Sequence, residues 1–169
     1  MHTSAVMVLV PSDEYKTVVP DPHCTLAFCG EAAELDDWQK SLLRRTASAV
    51  VEEMTKPYWR RRPTTNGRIV FAMDPSFNDG NRFCYADAVD YNISGRLRGI
   101  VEDRLNFVLN RGHGFTPHMT VAYSDFFQPD LAKPTATQTF NWKSVELWFG
   151  PDHEVFEIDG RLDGRDDNE

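Results

Sequence analysis

The chain has 169 residues, 41% of them hydrophobic, which suffices for one domain with its own core, and it carries a formal net charge of −8. That charge excludes non-specific affinity for long duplex nucleic acid, which is driven by phosphate neutralisation, but leaves room for a small phosphate ester in a local pocket. Three cysteines, Cys24, Cys29 and Cys84, are odd in number and lack CxxC spacing, which argues against a disulfide framework or zinc site and predicts reduced intracellular thiols.

In chain order, the apolar run 5–10 predicts a strand buried on both faces. It is too short for a signal-peptide core or a membrane span and lacks a basic flank, so a soluble, cytoplasmic protein with no membrane partner is expected. A second strand follows at 23–28. Residues 34–54 read as a helix, with Leu35, Trp38, Leu42, Ala49 and Val50 recurring at helical spacing, and Pro57 ends it. Strands at 68–73 and 83–89 flank a turn-rich stretch, DPSFNDGN. Asn92 or Ser94 caps a second helix whose apolar stripe is Ile93, Leu97, Ile100, Val101, Leu105 and Val108, with Gly112 at its C-terminal end. Strands at 118–123, 139–149 and 155–158 complete an α+β pattern. Residues 159–169 hold five acidic residues, two arginines and one leucine, the composition of a disordered acidic tail behind a single domain over 1–158.

PHCTLAF, starting at Pro22, returns 95 residues later as PHMTVAY, starting at Pro117; Pro, His, Thr and Ala are identical and the other positions exchange like for like. On a strand, residues two apart share a face. His23, Thr25 and Ala27 therefore point one way and Cys24, Leu26 and Phe28 the other; His118, Thr120 and Ala122 likewise oppose Met119, Val121 and Tyr123. The second set in each copy is expected to be core. Side by side, the two polar faces would present two imidazoles and two hydroxyls.

That set suits phosphodiester chemistry. In-line cleavage needs one group to take a proton from the nucleophile and another, across the phosphorus, to protonate the departing oxygen. Histidine serves both roles near neutrality, its ordinary pKa being about 6.5. Threonine hydroxyls can donate to the non-bridging oxygens. The scheme requires no metal and no cofactor.

The paired heptads, their strand context and the chain length resemble the 2H phosphoesterase superfamily, whose members carry two His-x-Thr/Ser motifs, and HCTLAFCGE is similar to its 2′-5′ RNA ligase (LigT-like) branch. The resemblance implies a bilobal, pseudo-two-fold α+β fold, with two antiparallel-rich sheets lining a central cleft and helices outside. It also implies metal-independent hydrolysis of a small nucleotide or RNA end, either a 2′,3′-cyclic phosphate or a 2′-5′ linkage, with His23 and His118 as acid and base and Thr25 and Thr120 binding phosphate. Phage nucleases that destroy cyclic oligonucleotide immune signals belong to the same superfamily. A monomer is expected.

Other features have two readings each. Tyr58, Trp59 and the arginines 60–62 form either a base-stacking, phosphate-holding loop or a solvated connection. Glu146 and Trp148 share a face of a late strand, where they either line the cleft or are edge charge and core filler. His113, in RGHGF, pairs with His118 as metal ligands or is a turn histidine, and no carboxylate or Cys cluster completes a metal site. The competing functions are a non-catalytic nucleotide sponge or sensor in the same cleft, and a metal-dependent hydrolase using His23, His118 and a carboxylate such as Asp21 or Asp87.

Overall fold

A computed structural model describes residues 3–56, 63–72, 83–105 and 114–158. The 58–62 segment, the turn 74–81, Val108, Gly112, His113 and the 159–169 tail lie outside the described residues. Among the described residues, seven strands and two long helices follow the predicted order, and a short helical turn that was not predicted lies between the fifth and sixth strands: β1 Ser4–Pro11, β2 Cys24–Glu31, α1 Asp37–Met54, β3 Thr65–Ala72, β4 Phe83–Val89, α2 Tyr91–Arg104, β5 His118–Ser124, the single turn α3 Pro129–Ala132, β6 Trp142–Phe149 and β7 Asp152–Glu157.

Helix starts shift from expectation for local reasons. Residues Ala32–Glu34 form a separate 3-10 turn, so α1 begins at a capping box: Asp36 accepts from the Gln39 backbone N–H at 2.7 Å, and the Gln39 side chain accepts from Asp36 N–H at 2.9 Å. The buried stripe of α1 is Leu43, Ala47, Val50 and Met54 rather than one running through Trp38, which is 57% exposed. At α2 the cap is Asp90, accepting from Asn92 N–H at 2.9 Å, and the predicted cap Ser94 instead donates its hydroxyl to the Asp90 carbonyl at 2.8 Å.

All seven strands join in the order β3-β4-β5-β2-β1-β6-β7, each neighbouring pair antiparallel. The two expected sheets are the halves β3-β4-β5 and β2-β1-β6-β7. They meet edge to edge at β2 and β5, where Cys24↔Met119 is the one register pair among the described residues. The predicted strand 139–149 is shorter because its first residues leave the sheet's inner ladder: Thr139 bridges to Thr64 and Phe140 N–H bonds the Pro63 carbonyl at 3.0 Å. That segment ties the two halves together a second time.

Helix α1 packs on β6 and β7, α2 packs on β2, and the two helices pack on each other. The core lies between them and one face of the sheet, built from Met7 and Leu9 of β1, Cys24 and Leu26 of β2, Met119 of β5, Leu147 of β6, and the stripes of α1 and α2. The helices thus occupy one face and leave the other to the paired motifs.

Both motif strands carry a β-bulge at the same motif position. The register passes from Met7↔Ala27 to Val8↔Thr25, leaving Leu26 extra, and from Tyr85↔Ala122 to Ala86↔Thr120, leaving Val121 extra. The extra residue inverts the alternation beyond it. Ala27 therefore turns into the core at 0% exposure, and Phe28 is only partly buried. Tyr123, expected in the core, is 44% exposed. The predicted faces hold through Leu26 in the first motif and through Thr120 in the second, and fail past those residues.

Candidate active site

Each heptad begins with a proline, and proline disfavours helical backbone at the residue before it. Asp21 and Thr116 occupy those positions, and each offers its carbonyl to the imidazole two residues on. His23 Nδ1 lies 2.9 Å from the Asp21 carbonyl, and His118 Nδ1 lies 2.6 Å from the Thr116 carbonyl. A carbonyl only accepts, so each Nδ1 carries the hydrogen and donates it. Nε2 is then the basic nitrogen of each neutral ring.

The register of the seam arranges these groups. With Cys24 opposite Met119 in antiparallel sense, one step along either strand sets His23 across from Thr120 and Thr25 across from His118. Each imidazole faces the alcohol of the other half. The backbone of His118 also hydrogen-bonds the buried Cys24 thiol, whose pKa is pushed up to about 12, chiefly by burial.

Around this crossed quartet the halves share a scaffold. In the ladder, Trp148 pairs with Val6, which pairs with Phe28; Phe71 pairs with Cys84, which pairs with Tyr123. Trp148 and Phe71 hold equivalent places, and each lies against a histidine. The His23 and Trp148 ring centroids are 4.5 Å apart, edge to face, and those of His118 and Phe71 are 4.8 Å apart.

Their chemistry differs. On the His23 side, Trp148 Nε1 donates to Glu146 Oε1 at 2.8 Å, and His153 stacks on Trp148 with centroids 4.4 Å apart. Glu146 and Trp148 thus stand on the motif face, as one of their two readings required. On the His118 side the neighbouring ring is apolar, and burial lowers the His118 pKa below its ordinary value, opposed in part by the bond to Thr116. Thr120 Oγ1 lies 3.4 Å from Cys84 Sγ. Burial raises the Cys84 pKa and keeps the thiol protonated, and Tyr123 hydrogen-bonds both Cys84 and Thr120, so these three side chains form a polar cluster beside the second motif.

Four positions read from the sequence, His23, Thr25, His118 and Thr120, are brought together. Asp87 is not among them. Its carboxylate sits on the Met119 side of the sheet, where it accepts from Tyr15 Oη at 2.6 Å and Arg68 Nε at 3.0 Å. Among the described residues no group of three or more His, Cys, Asp and Glu is placed to hold a metal ion. The sequence reasoning missed Phe71, Cys84 and Tyr123 beside the second motif. The signal lay in the bulge, which pattern alone does not mark.

No family sequence model matches the chain, and no curated protein sequence does. Solved structures do. TT0787 of Thermus thermophilus aligns with a TM-score of 0.52 at 16% identity, covering 92% of this chain and 97% of that one. E. coli LigT complexed with 3′-AMP aligns with a TM-score of 0.45 at 13% identity, over 94% and 95% of the two chains. No described helix is long and apolar enough to cross a membrane. With two antiparallel half-sheets joined edge to edge and agreement with TT0787 over nearly the whole chain, the protein has the α+β fold of that structure.

Proposed function

We propose that this chain is a metal-independent phosphodiesterase that hydrolyses a small nucleotide phosphodiester: a 2′,3′-cyclic phosphate, a 2′-5′ linkage or a cyclic oligonucleotide signal, the last as a phage anti-defence nuclease would. The observation that carries this reading is the crossed register, in which each imidazole faces the other half's threonine and holds its Nδ1 proton on a backbone carbonyl. A phosphorus atom between the strands would meet one imidazole Nε2 on each side of the reaction axis.

His118 is the base in this reading. Its partly buried setting against Phe71 favours the neutral ring, so Nε2 takes a proton from the attacking water as the water oxygen bonds to phosphorus. His23 is the acid. Its ring lies against Trp148, whose Nε1 donates to the Glu146 carboxylate, and it is the imidazole left to serve once His118 is the base. As the P–O bond breaks, His23 Nε2–H passes its proton to the leaving oxygen. One proton enters through His118 and one leaves through His23, and exchange with solvent restores both rings.

Thr25 and Thr120 donate to the non-bridging oxygens, whose charge is redistributed in the transition state. Preorganised neutral donors suit an acidic chain that attracts no long polyanion. The protein acts as a monomer in this reading, since both motifs come from one chain. Incubating it in EDTA with 2′,3′-cyclic nucleotides, 2′-5′ dinucleotides and cyclic oligonucleotides tests the proposal: one class is converted to a linear or opened product, and a panel left wholly unchanged overturns it.

A further inference from the structure

The seam that brings the two motifs together is thin, with one register pair between β2 and β5 among the described residues. Catalysis across it would demand close placement, since a misplacement of about 1 Å can cost roughly 100-fold in rate. One buried side chain touches both sides. Arg98 of α2, 6% exposed, donates from Nη1 to the carbonyl of Leu26. Leu26 is the bulge residue directly after Thr25. The Arg98 guanidinium also lies over the Phe115 ring, 5.1 Å from its centroid. Phe115 directly precedes Thr116, whose carbonyl holds His118 Nδ1.

We propose that Arg98 is a positioning residue that registers the two half-sites against each other, its fork holding the bulge behind the first His-x-Thr and its plane holding the backbone that enters the second. A bulge takes its extra residue out of the ladder, so a buried carbonyl there needs another donor. Guanidinium can hydrogen-bond in its plane and stack on a ring at once; an ammonium cannot do both. Glu102, one turn on, accepts from Arg98 Nε at 3.0 Å and holds the fork at its other edge. The Arg98 charge also reaches Cys29, where it opposes the upward shift that burial gives the thiol. One side chain thus fixes Thr25 through the strand behind it and His118 through the residues before it.

The effect on turnover rests on the phosphodiesterase reading; the placement of the rings does not. Arg98→Lys keeps the charge and the stem but loses fork and stack. Two readouts apply to it: steady-state kinetics on the best substrate of the panel, and 15N-detected imidazole signals of His23 and His118 in the substrate-free protein. The expected result is a kcat lower by about 10- to 100-fold with KM changed much less, and His118 signals moved away from the Nδ1–H tautomer. Partial recovery of kcat in Arg98→Ala by added guanidinium would support the same role. A folded Arg98→Lys with wild-type kcat and unmoved ring signals overturns it, as does loss of thermal stability alone. Should the wild type turn over no substrate, the ring signals decide the matter by themselves. If Arg98→Lys fails to fold, Glu102→Gln substitutes for it: a smaller shift of the His118 signals in the same direction supports the proposal and unchanged signals overturn it.

Discussion

Cys24 stands opposite Met119 at the seam between the two half-sheets, and from that pair follows the crossing of imidazole and alcohol between the halves. Neither residue is chemically involved, since both are fully buried. Their side chains fill the core and so turn His23, Thr25, His118 and Thr120 to the opposite face.

The threonines are expected to act in the transition state rather than in ground-state binding. Thr25→Val and Thr120→Val each remove one donor and should lower kcat by about 100- to 1,000-fold, with KM changed far less. Thr→Ser at either place should retain most activity. Cys84→Val, which removes only the thiol 3.4 Å from Thr120, should cost less than Thr120→Val. Steady-state kinetics on a panel substrate checks the series, and full kcat in either valine variant contradicts the assigned role.

Stability should depend on pH through His118. Its folded pKa lies below the ordinary value near 6.5 because burial disfavours the charged ring. Between that folded value and about 6.5 the unfolded chain binds a proton that the folded chain refuses. Stability therefore falls as pH falls through this window and levels off below it. His118→Asn, which keeps a donor for the Thr116 carbonyl, removes this contribution. Urea denaturation at several pH values should show a steeper acid loss in the wild type than in the variant, and equal slopes would count against the partly buried, neutral ring.

Asp87 is a structural carboxylate in this account. Tyr15, Arg68 and Thr135 converge on it at 2.6, 3.0 and 3.4 Å. Asp87→Ala leaves a buried guanidinium and a phenol without their acceptor and should cost about 3–5 kcal/mol. Turnover per folded molecule in EDTA should be unchanged, because the carboxylate lies on the far side of the sheet from His118. Chemical denaturation alongside kinetics separates these effects. Selective loss of turnover at full stability would favour the metal-dependent alternative.

Much of this architecture was legible in the sequence because apolar periodicity marks strands and helices directly. The order of β1, β2, α1, β3, β4, α2 and β5 follows from it. The motif residues were legible because repetition separated His23 and Thr25, and His118 and Thr120, from incidental polar residues. The faces beyond Leu26 and Thr120 were not, because a bulge at Leu26 or Val121 leaves alternation in the sequence intact while inverting it in space. The α1 stripe was right at Val50 and wrong at Trp38: Trp38 has the apolar character of a core residue but lies in the first turn and is 57% exposed, and α1 buries Leu43 and Ala47 beside Val50. Arg98 gave no signal either, since a charged residue amid an apolar helical stripe looks solvent-facing until its carbonyl partner is known.

Two rings acting on one phosphorus, each indispensable, is what the account depends on. The most direct measurement is product formation in EDTA from a single panel substrate, comparing wild type with His23→Ala and His118→Ala after circular dichroism has shown both variants folded. The account predicts turnover by the wild type and a loss of at least about 100-fold in each variant. Turnover that survives either substitution largely intact would contradict it.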